Sequence, residues 1–258
     1  MPEPWVEIFL LGAAFLAGLV DAVVGGGGLI QLPALLVAFP EAAPMQLLAT
    51  NKLSSIAGTF TSSLTYYRRV KPDLRTALPL AAAAFGGSLA GALVASHIPR
   101  SAFDPVVLVA LVVVGGIVVA RPDLGLTSRL RRQGRRHYAS AAVLGAAVGF
   151  YDGALGPGTG TFLVFGLVGW LGYGFLEASA KARIANLATN LAALVVFVPQ
   201  GAVLWRVGLG MAAANVLGGY LGSRVALARG ARFIRVVLLV VAAALALKIA
   251  LSLWWPAG

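Results

Sequence analysis

Three stretches of this chain run for nearly a bilayer's thickness without one charged residue: Thr76–Ser96, Ile184–Trp205 and Pro105–Ala120. Roughly 20 apolar residues cross the hydrocarbon core as a helix. Lipid offers no water to the backbone, so a spanning chain is either helical or a closed barrel. The apolar runs here are continuous rather than alternating, which selects helices. Composition agrees. Of 258 residues, 59% are hydrophobic and 11% charged, against about 25% charged in a soluble domain. The sequence therefore predicts an all-α membrane protein.

Ten hydrophobic segments can be drawn, at 5–24, 29–39, 44–67, 75–96 and 103–120, then 138–155, 160–172, 177–200, 207–223 and 233–255. The second of each set is short, a length that suits a half-depth, strongly tilted or re-entrant helix rather than a full crossing. The sequence leaves open whether it crosses, so the count is 8–10. The net charge of +11 lies mainly in three blocks, Arg68–Arg75, Arg121–Arg136 and Arg224–Arg235. Each falls between apolar runs, as cytoplasmic loops do under the positive-inside rule. The blocks lack the run of interleaved aromatics that a base-stacking surface needs, which argues against nucleic acid. With these blocks inside, Glu3, Glu7 and the N-terminus lie outside. Met1–Phe9 lacks the basic start of a signal peptide, so the first segment is expected to stay as a helix. The chain has no cysteine, which excludes disulfides and thiolate sites.

One device occurs twice. Gly18-Leu-Val-Asp21-Ala-Val-Val-Gly25-Gly26-Gly27-Gly28 returns as Gly149-Phe-Tyr-Asp152-Gly-Ala-Leu-Gly156-Pro157-Gly158-Thr159-Gly160, at an offset of 131 residues. Gly87 and Gly91 match Gly218 and Gly222 at the same offset, and Gly145 with Gly149 makes another closely spaced small pair. Such spacing suits close helix packing. The offset is about half the chain, so the expected plan is repeat 1 at 1–120, a basic connector at 121–137 and repeat 2 at 138–258. An odd number of crossings per repeat inverts the second relative to the first.

Glycine breaks in an apolar run free backbone groups, which membranes tolerate where the chain is buried in protein or lines a wet cavity. Broken helices in matching positions of two halves point to a transporter's binding site. The segments that restart near Leu29 and Gly160 would aim their N-terminal N–H groups at the cavity, where they favour an anion. Tight turns that merely let helices approach are the alternative. A nucleotide-phosphate loop is excluded, because it needs a preceding strand.

Asp21 and Asp152 stand inside apolar runs, four residues before their turns. A carboxylate there must be paired, hydrated or protonated. It serves either as a proton carrier or as a brace for the freed N–H groups of the turn. In the third segment Leu53, Ile56, Ala57, Phe60, Leu64 and Tyr67 form one narrow apolar arc, and the rest of the segment is mainly small or polar. Lipid should touch the arc alone; the broad face is a cavity wall or a hydroxyl-rich packing surface. Asn51 and Lys52 begin that face, and Lys52 either binds an anion or snorkels. In the second half Thr50 pairs with Ser179 and Lys52 with Lys181 at an offset of 129. Ser179, Arg183, Asn186 and Asn190 follow helical spacing and share a face, on which Arg183 can clamp an oxyanion with its planar donors. Lys181 points away and is expected to snorkel. Lys248 snorkels or makes a dimer contact. His97 and His137 lie at segment edges with no metal-binding spacing. No metal, cofactor or catalytic pair is read, and an enzyme is not expected. Trp5, Trp170, Trp205, Trp254 and Trp255 fall near segment ends, as interfacial anchors do.

The glycine-rich turn after Gly-Leu-Val-Asp21, the later Ala49-Thr50-Asn51-Lys52, and their echoes at Asp152–Gly160 and Ser179–Lys181 resemble the TauE/SafE sulfite-exporter-like permeases over nearly the whole chain. That resemblance implies a multi-pass protein of a bacterial or archaeal inner membrane that moves small anions, chiefly sulfite and other sulfur-containing or organic acids. The expected site is Gly25, Gly26, Gly27, Gly28, Asn51, Lys52, Gly156, Gly158, Thr159, Gly160, Ser179, Arg183 and Asn186 for the anion, with Asp21 and Asp152 for proton coupling. Expected partners are the anion, the lipid bilayer and a second copy in a homodimer. The competing expectation is a non-transporting assembly or sensor subunit.

Overall fold

The computed structural model describes residues 4–95 and 125–254, without side chains at 242, 244–246 and 248–254. The expected segment 103–120, His97, Trp255 and the side chains of Lys248 and Trp254 lie outside that description. Among the described residues the ordered structure is helical, with no strand. The elements are α1 (Pro4–Val24), α2 (Gly28–Ala38), α3 (Pro44–Val70), α4 (Leu74–Val94), α5 (Gly134–Ala154), α6 (Thr159–Gly166) continued by a π-helical turn (Leu167–Leu171), α7 (Phe175–Phe197) and α8 (Trp205–Trp254). Among them α1, α4 and α7 are long and apolar enough to span a membrane. With 11 residues, α2 reaches roughly 16 Å, about half of the hydrocarbon core.

The helix ends follow from local chemistry. Pro44 occupies the first turn of α3, and Gln46 Oε1 accepts the Ala43 N–H at 3.2 Å. Asp73 caps α4 by accepting from the Arg75 N–H and the Thr76 hydroxyl. Thr76 continues through His137 to the Tyr173 hydroxyl and fastens α4 to α5. His137, expected at a segment edge, lies in the first turn of α5 and is buried. The third basic block, expected as a loop, is helical apart from Gly230, whose positive φ breaks α8.

Glycine contacts set the packing. An added Cβ on Gly18 would collide with the Asn215 carbonyl, and one on Gly149 with the Ala84 carbonyl. Gly87 meets Ala146 and Gly218 meets Phe15; Gly91 meets Phe150 and Gly222 meets Leu19. Each pair of contacts is related by 131 residues. Small residues let backbones approach closely where lipid supplies no hydrophobic drive between helices. These registers run α1 parallel to α8 and α4 parallel to α5. Gly58 against Asn215 and Gly219, and Gly208 against Leu53, run α3 parallel to α8 as well.

Two bodies result. α1, α2, α3 and α8 pack together, as do α4, α5, α6 and α7. Each half thus gives its fourth helix to the other's bundle. The principal contact between the bodies is α3 against α7. The C-terminal part of the α3 arc faces outward, with Phe60 58% exposed and Leu64 and Tyr67 also exposed. Leu53 and Ile56 at its start are instead partly buried and pack on the core. Thr50, Asn51, Lys52, Ser54, Thr59, Ser62 and Ser63 are buried. Trp5, Trp170 and Trp205 are exposed at helix ends.

Candidate functional site

Each break in the apolar run folds as a turn that needs glycine at its first residue. Gly25 has φ 88° and Gly156 has φ 92°, a conformation that costs an L side chain strain. The two turns touch. Gly25 lies against the backbone of Gly160, and its carbonyl accepts the Thr161 N–H at 3.3 Å. The Thr161 hydroxyl donates to the Val24 carbonyl at 3.0 Å, and Gly28 faces Pro157. Tyr151 braces the second turn by donating to the Pro157 carbonyl at 2.6 Å.

Where the turns meet, a cavity of about 20 Å³ is lined by Asp21, Gly25, Gly28, Asn51, Lys52, Ser55, Asp152, Gly156, Gly158, Thr159, Gly160, Asn186 and Asn190. That is room for about one water. The lining is almost wholly polar or backbone, deep in a chain that is 59% hydrophobic.

Two ion pairs dominate it. Lys52 Nζ lies 2.6 Å from Asp152 Oδ2, with both side chains nearly without exposure. The other oxygen of Asp152 accepts from the Thr159 hydroxyl at 2.5 Å. Arg183 Nη1 lies 3.5 Å from Asp21 Oδ2, and Asp21 Oδ1 accepts the Gly27 N–H at 3.3 Å. Burying a charge is expensive, and pairing with further hydrogen bonds is what offsets the cost. The two pairs are not equal. Asp152 holds a cation and a hydroxyl at short range. Arg183 is fully buried, yet none of its three nitrogens makes a hydrogen bond among the described residues. Its guanidinium lies 6.0 Å from the centre of the Tyr66 ring. Asn190 Nδ2, about two turns further along α7, is likewise buried without a partner among the described residues. Buried orphan donors of this kind call for an occupant such as water or an ion.

Most of the expected site residues therefore come together. Four expected for the anion do not line the cavity. Gly26 faces the side chain of Val241 instead. Gly27 spends its N–H on Asp21. Ser179 is buried toward Tyr66. Arg183 stands behind Gly160, 3.1 Å from where a Cβ would sit there, and reaches the cavity through Asp21. Ser55 and Asn190 line it although neither was expected in the site. Lys181 does not snorkel; it is buried, 2.8 Å from Glu177 and 4.3 Å from the centre of the Tyr173 ring.

The offset of 129 between the third helices also fails. At 131, the offset of the glycine turns, Lys52 matches Arg183, Ser55 matches Asn186 and Thr59 matches Asn190. The ion pairs follow that register: the cation of each half binds the carboxylate of the other. The signal was present in the sequence, but two neighbouring basic residues, Lys181 and Arg183, offered competing alignments.

Comparison with known proteins agrees with this architecture. The model of the family described as Sulfite exporter TauE/SafE matches residues 10–249. A probable membrane transporter protein of Sinorhizobium, ORF9, is 39% identical over 93% of this chain and 91% of its own length. The probable membrane transporter protein YfcA of Escherichia coli K12 is 32% identical over 96% and 91%. A probable membrane transporter protein of Haemophilus influenzae is 32% identical over 96% and 95%. No solved structure matches the chain with significance. These relatives are described as membrane transporters rather than enzymes. With matched glycine turns closing on a polar cavity and a family match over nearly its full length, this chain is a multi-pass membrane protein that belongs to the TauE/SafE family of membrane transporters.

Proposed function

We propose that the protein is a proton-coupled secondary transporter of a small anion, with sulfite and related sulfur oxyanions as the leading candidates. The carrying observation is the polar cavity between two touching glycine turns, where two buried cations from different halves are paired with two carboxylates, Asp152 buried and Asp21 partly buried. Lys52 and Arg183 supply charge to the anion. Asn51, Asn186, Asn190 and the Thr159 hydroxyl supply donors, and the turn amides at Gly28 and Gly160 add fixed partial positive charge. Asp21 and Asp152 carry the protons. The plan of two inverted repeats, 1–120 and 138–258 joined by the basic connector, is supported by the 131-residue recurrence of helix contacts. It is supported too by directions: α1 and α3 run against α5 and α7, and α4 against α8.

The moving bodies in this scheme are the two bundles rather than the two sequence halves, because α4 and α8 are exchanged. Alternating access then consists of one bundle rocking on the other about the α3–α7 contact. Both ion pairs span that seam. The setting is the inner membrane, with the basic ends of α3 and α5 in the cytoplasm.

The test is anion flux. Purified protein in proteoliposomes should move sulfite down an imposed gradient, with a pH change in step, and sulfite should raise its melting temperature in detergent. If no sulfur oxyanion or small carboxylate moves or stabilises the protein, the transporter reading fails and a structural or sensory membrane subunit takes its place.

A further inference from the structure

We propose that Asp21 and Asp152 occupy the seats of the transported anion, and that a dianion binds by replacing both carboxylates on Arg183 and Lys52 once each has taken a proton. This inference rests on the anion-transporter reading and adds to it the charge of the substrate and the proton count.

The geometry leads there in three steps. First, both cations already stand at the second glycine turn. Lys52 Nζ is 3.6 Å from the Cβ position of Gly156, and Arg183 Nη1 is 3.1 Å from that of Gly160. Lys52 lines the cavity directly and Arg183 meets it through Asp21, so the seats that the two carboxylates hold are where a dianion would meet the two cations. Second, the cavity as it stands has room for about one water, so an oxyanion enters only if something leaves. The carboxylates are the groups in the lining that make ion pairs with these cations. Third, the charges balance in both arrangements. Two cations and two carboxylates sum to zero. Two cations, two protonated carboxyls and one dianion also sum to zero. In a low-dielectric interior an unbalanced arrangement is the costly one.

The charged and titratable groups facing Asp21 are Arg183 on α7, Lys52 and Tyr66 on α3, and Asp152 on α5. Those facing Asp152 are Lys52 on α3, Asp21 on α1 and Tyr151 on its own helix, with the Thr159 hydroxyl from α6. Each carboxylate therefore has one cation that it gives up on protonation. The loose Asp21–Arg183 pair, whose guanidinium donors are otherwise unmet, is the first to open. The shorter Lys52–Asp152 pair follows, and Thr159 retains a hydrogen bond to the protonated Asp152.

The test measures binding of sulfate and thiosulfate, dianions that do not themselves titrate over the range, to the detergent-solubilised full chain from pH 5 to pH 9, with sulfite in parallel. Apparent affinity scales with the fraction of protein in the competent state. Two required protons give a limiting fall of about a hundredfold per pH unit. Asp21→Asn and Asp152→Asn should each reduce that to about tenfold, and the double variant should bind without pH dependence. Because Asp152→Asn strands a buried lysine and can fail to assemble, the unmodified protein carries a second measurement. Calorimetry in two buffers of different ionisation enthalpy should show two protons taken up per dianion bound. Binding that ignores pH, or an uptake of zero or one proton, overturns the inference while leaving an anion transporter in place. No binding or flux of any anion at any pH defeats the underlying reading instead.

Discussion

Lys52 and Asp152 lie 2.6 Å apart, one on α3 and the other on α5, each almost fully withdrawn from the surface. They come from opposite halves of the sequence and from opposite bundles of the fold. Removing either leaves an uncompensated charge in the interior, a change that typically costs about 3–5 kcal/mol. Lys52→Met or Asp152→Leu alone should therefore lower the melting temperature sharply, and the double substitution should recover most of the loss. Thermal unfolding in detergent reads this directly. A double variant as unstable as the single ones would show that the pair is not a unit.

Thr159 stands where the first turn has Gly28, and its hydroxyl is the second short contact to Asp152. Thr159→Val keeps the shape and deletes the donor, so it should cost about 1–3 kcal/mol. Thr159→Ser should be close to neutral. Equal losses for the two would mean that packing, not the hydrogen bond, is what the position supplies.

Gly25 and Gly12 make a matched test of the turns. Gly25 combines φ 88° with direct contact against the backbone of Gly160, so Gly25→Ala has both strain and collision to absorb. It should abolish anion flux and sharply reduce folded yield. Gly12 lies in α1 with open space at its Cβ position. Gly12→Ala should gain about 0.5–1 kcal/mol of helix stability and leave flux unchanged. Flux in Gly25→Ala near that of the unaltered protein would remove the turn contact from the mechanism.

The absence of cysteine makes accessibility easy to read. Ser55→Cys places a thiol on the cavity wall, and Phe60→Cys places one on the outward arc of the same helix. A charged, water-soluble thiol reagent should label position 55 at a rate that sulfite slows. It should leave position 60 unlabelled in vesicles, because lipid excludes the reagent. Labelling at 60 but not at 55 would reverse the proposed lipid and cavity faces of α3.

The outward part of the α3 arc, at Phe60, Leu64 and Tyr67, was legible because lipid permits one kind of surface and the helical period then fixes its direction. That Leu53 and Ile56 on the same arc pack on the core was not, since the pattern does not say which neighbours a helix meets. The short second helices were also visible, as brief apolar runs that fold as α2 and as α6 with its π-helical turn. The partners of the two carboxylates were not legible. Nothing near Asp21 in the sequence marks Arg183, 162 positions later, as its counter-ion, and both possible offsets placed a cation opposite Lys52. Gly26 and Gly27 were assigned to the anion because glycine runs read alike in sequence, whereas one faces Val241 and the other braces Asp21.

The sequence by itself determined that the chain lives in a membrane, that it is helical, and that it carries one glycine-and-aspartate device twice. Those follow from properties local to a segment: hydropathy, helical period and the backbone needs of glycine. Tertiary structure alone decided that each half lends its fourth helix to the other's bundle, and that each cation crosses the seam to the carboxylate of the opposite half. Both are outcomes of close backbone approach between segments far apart in the chain, set by where small residues let helices touch, and no local pattern encodes which distant surface a helix will meet.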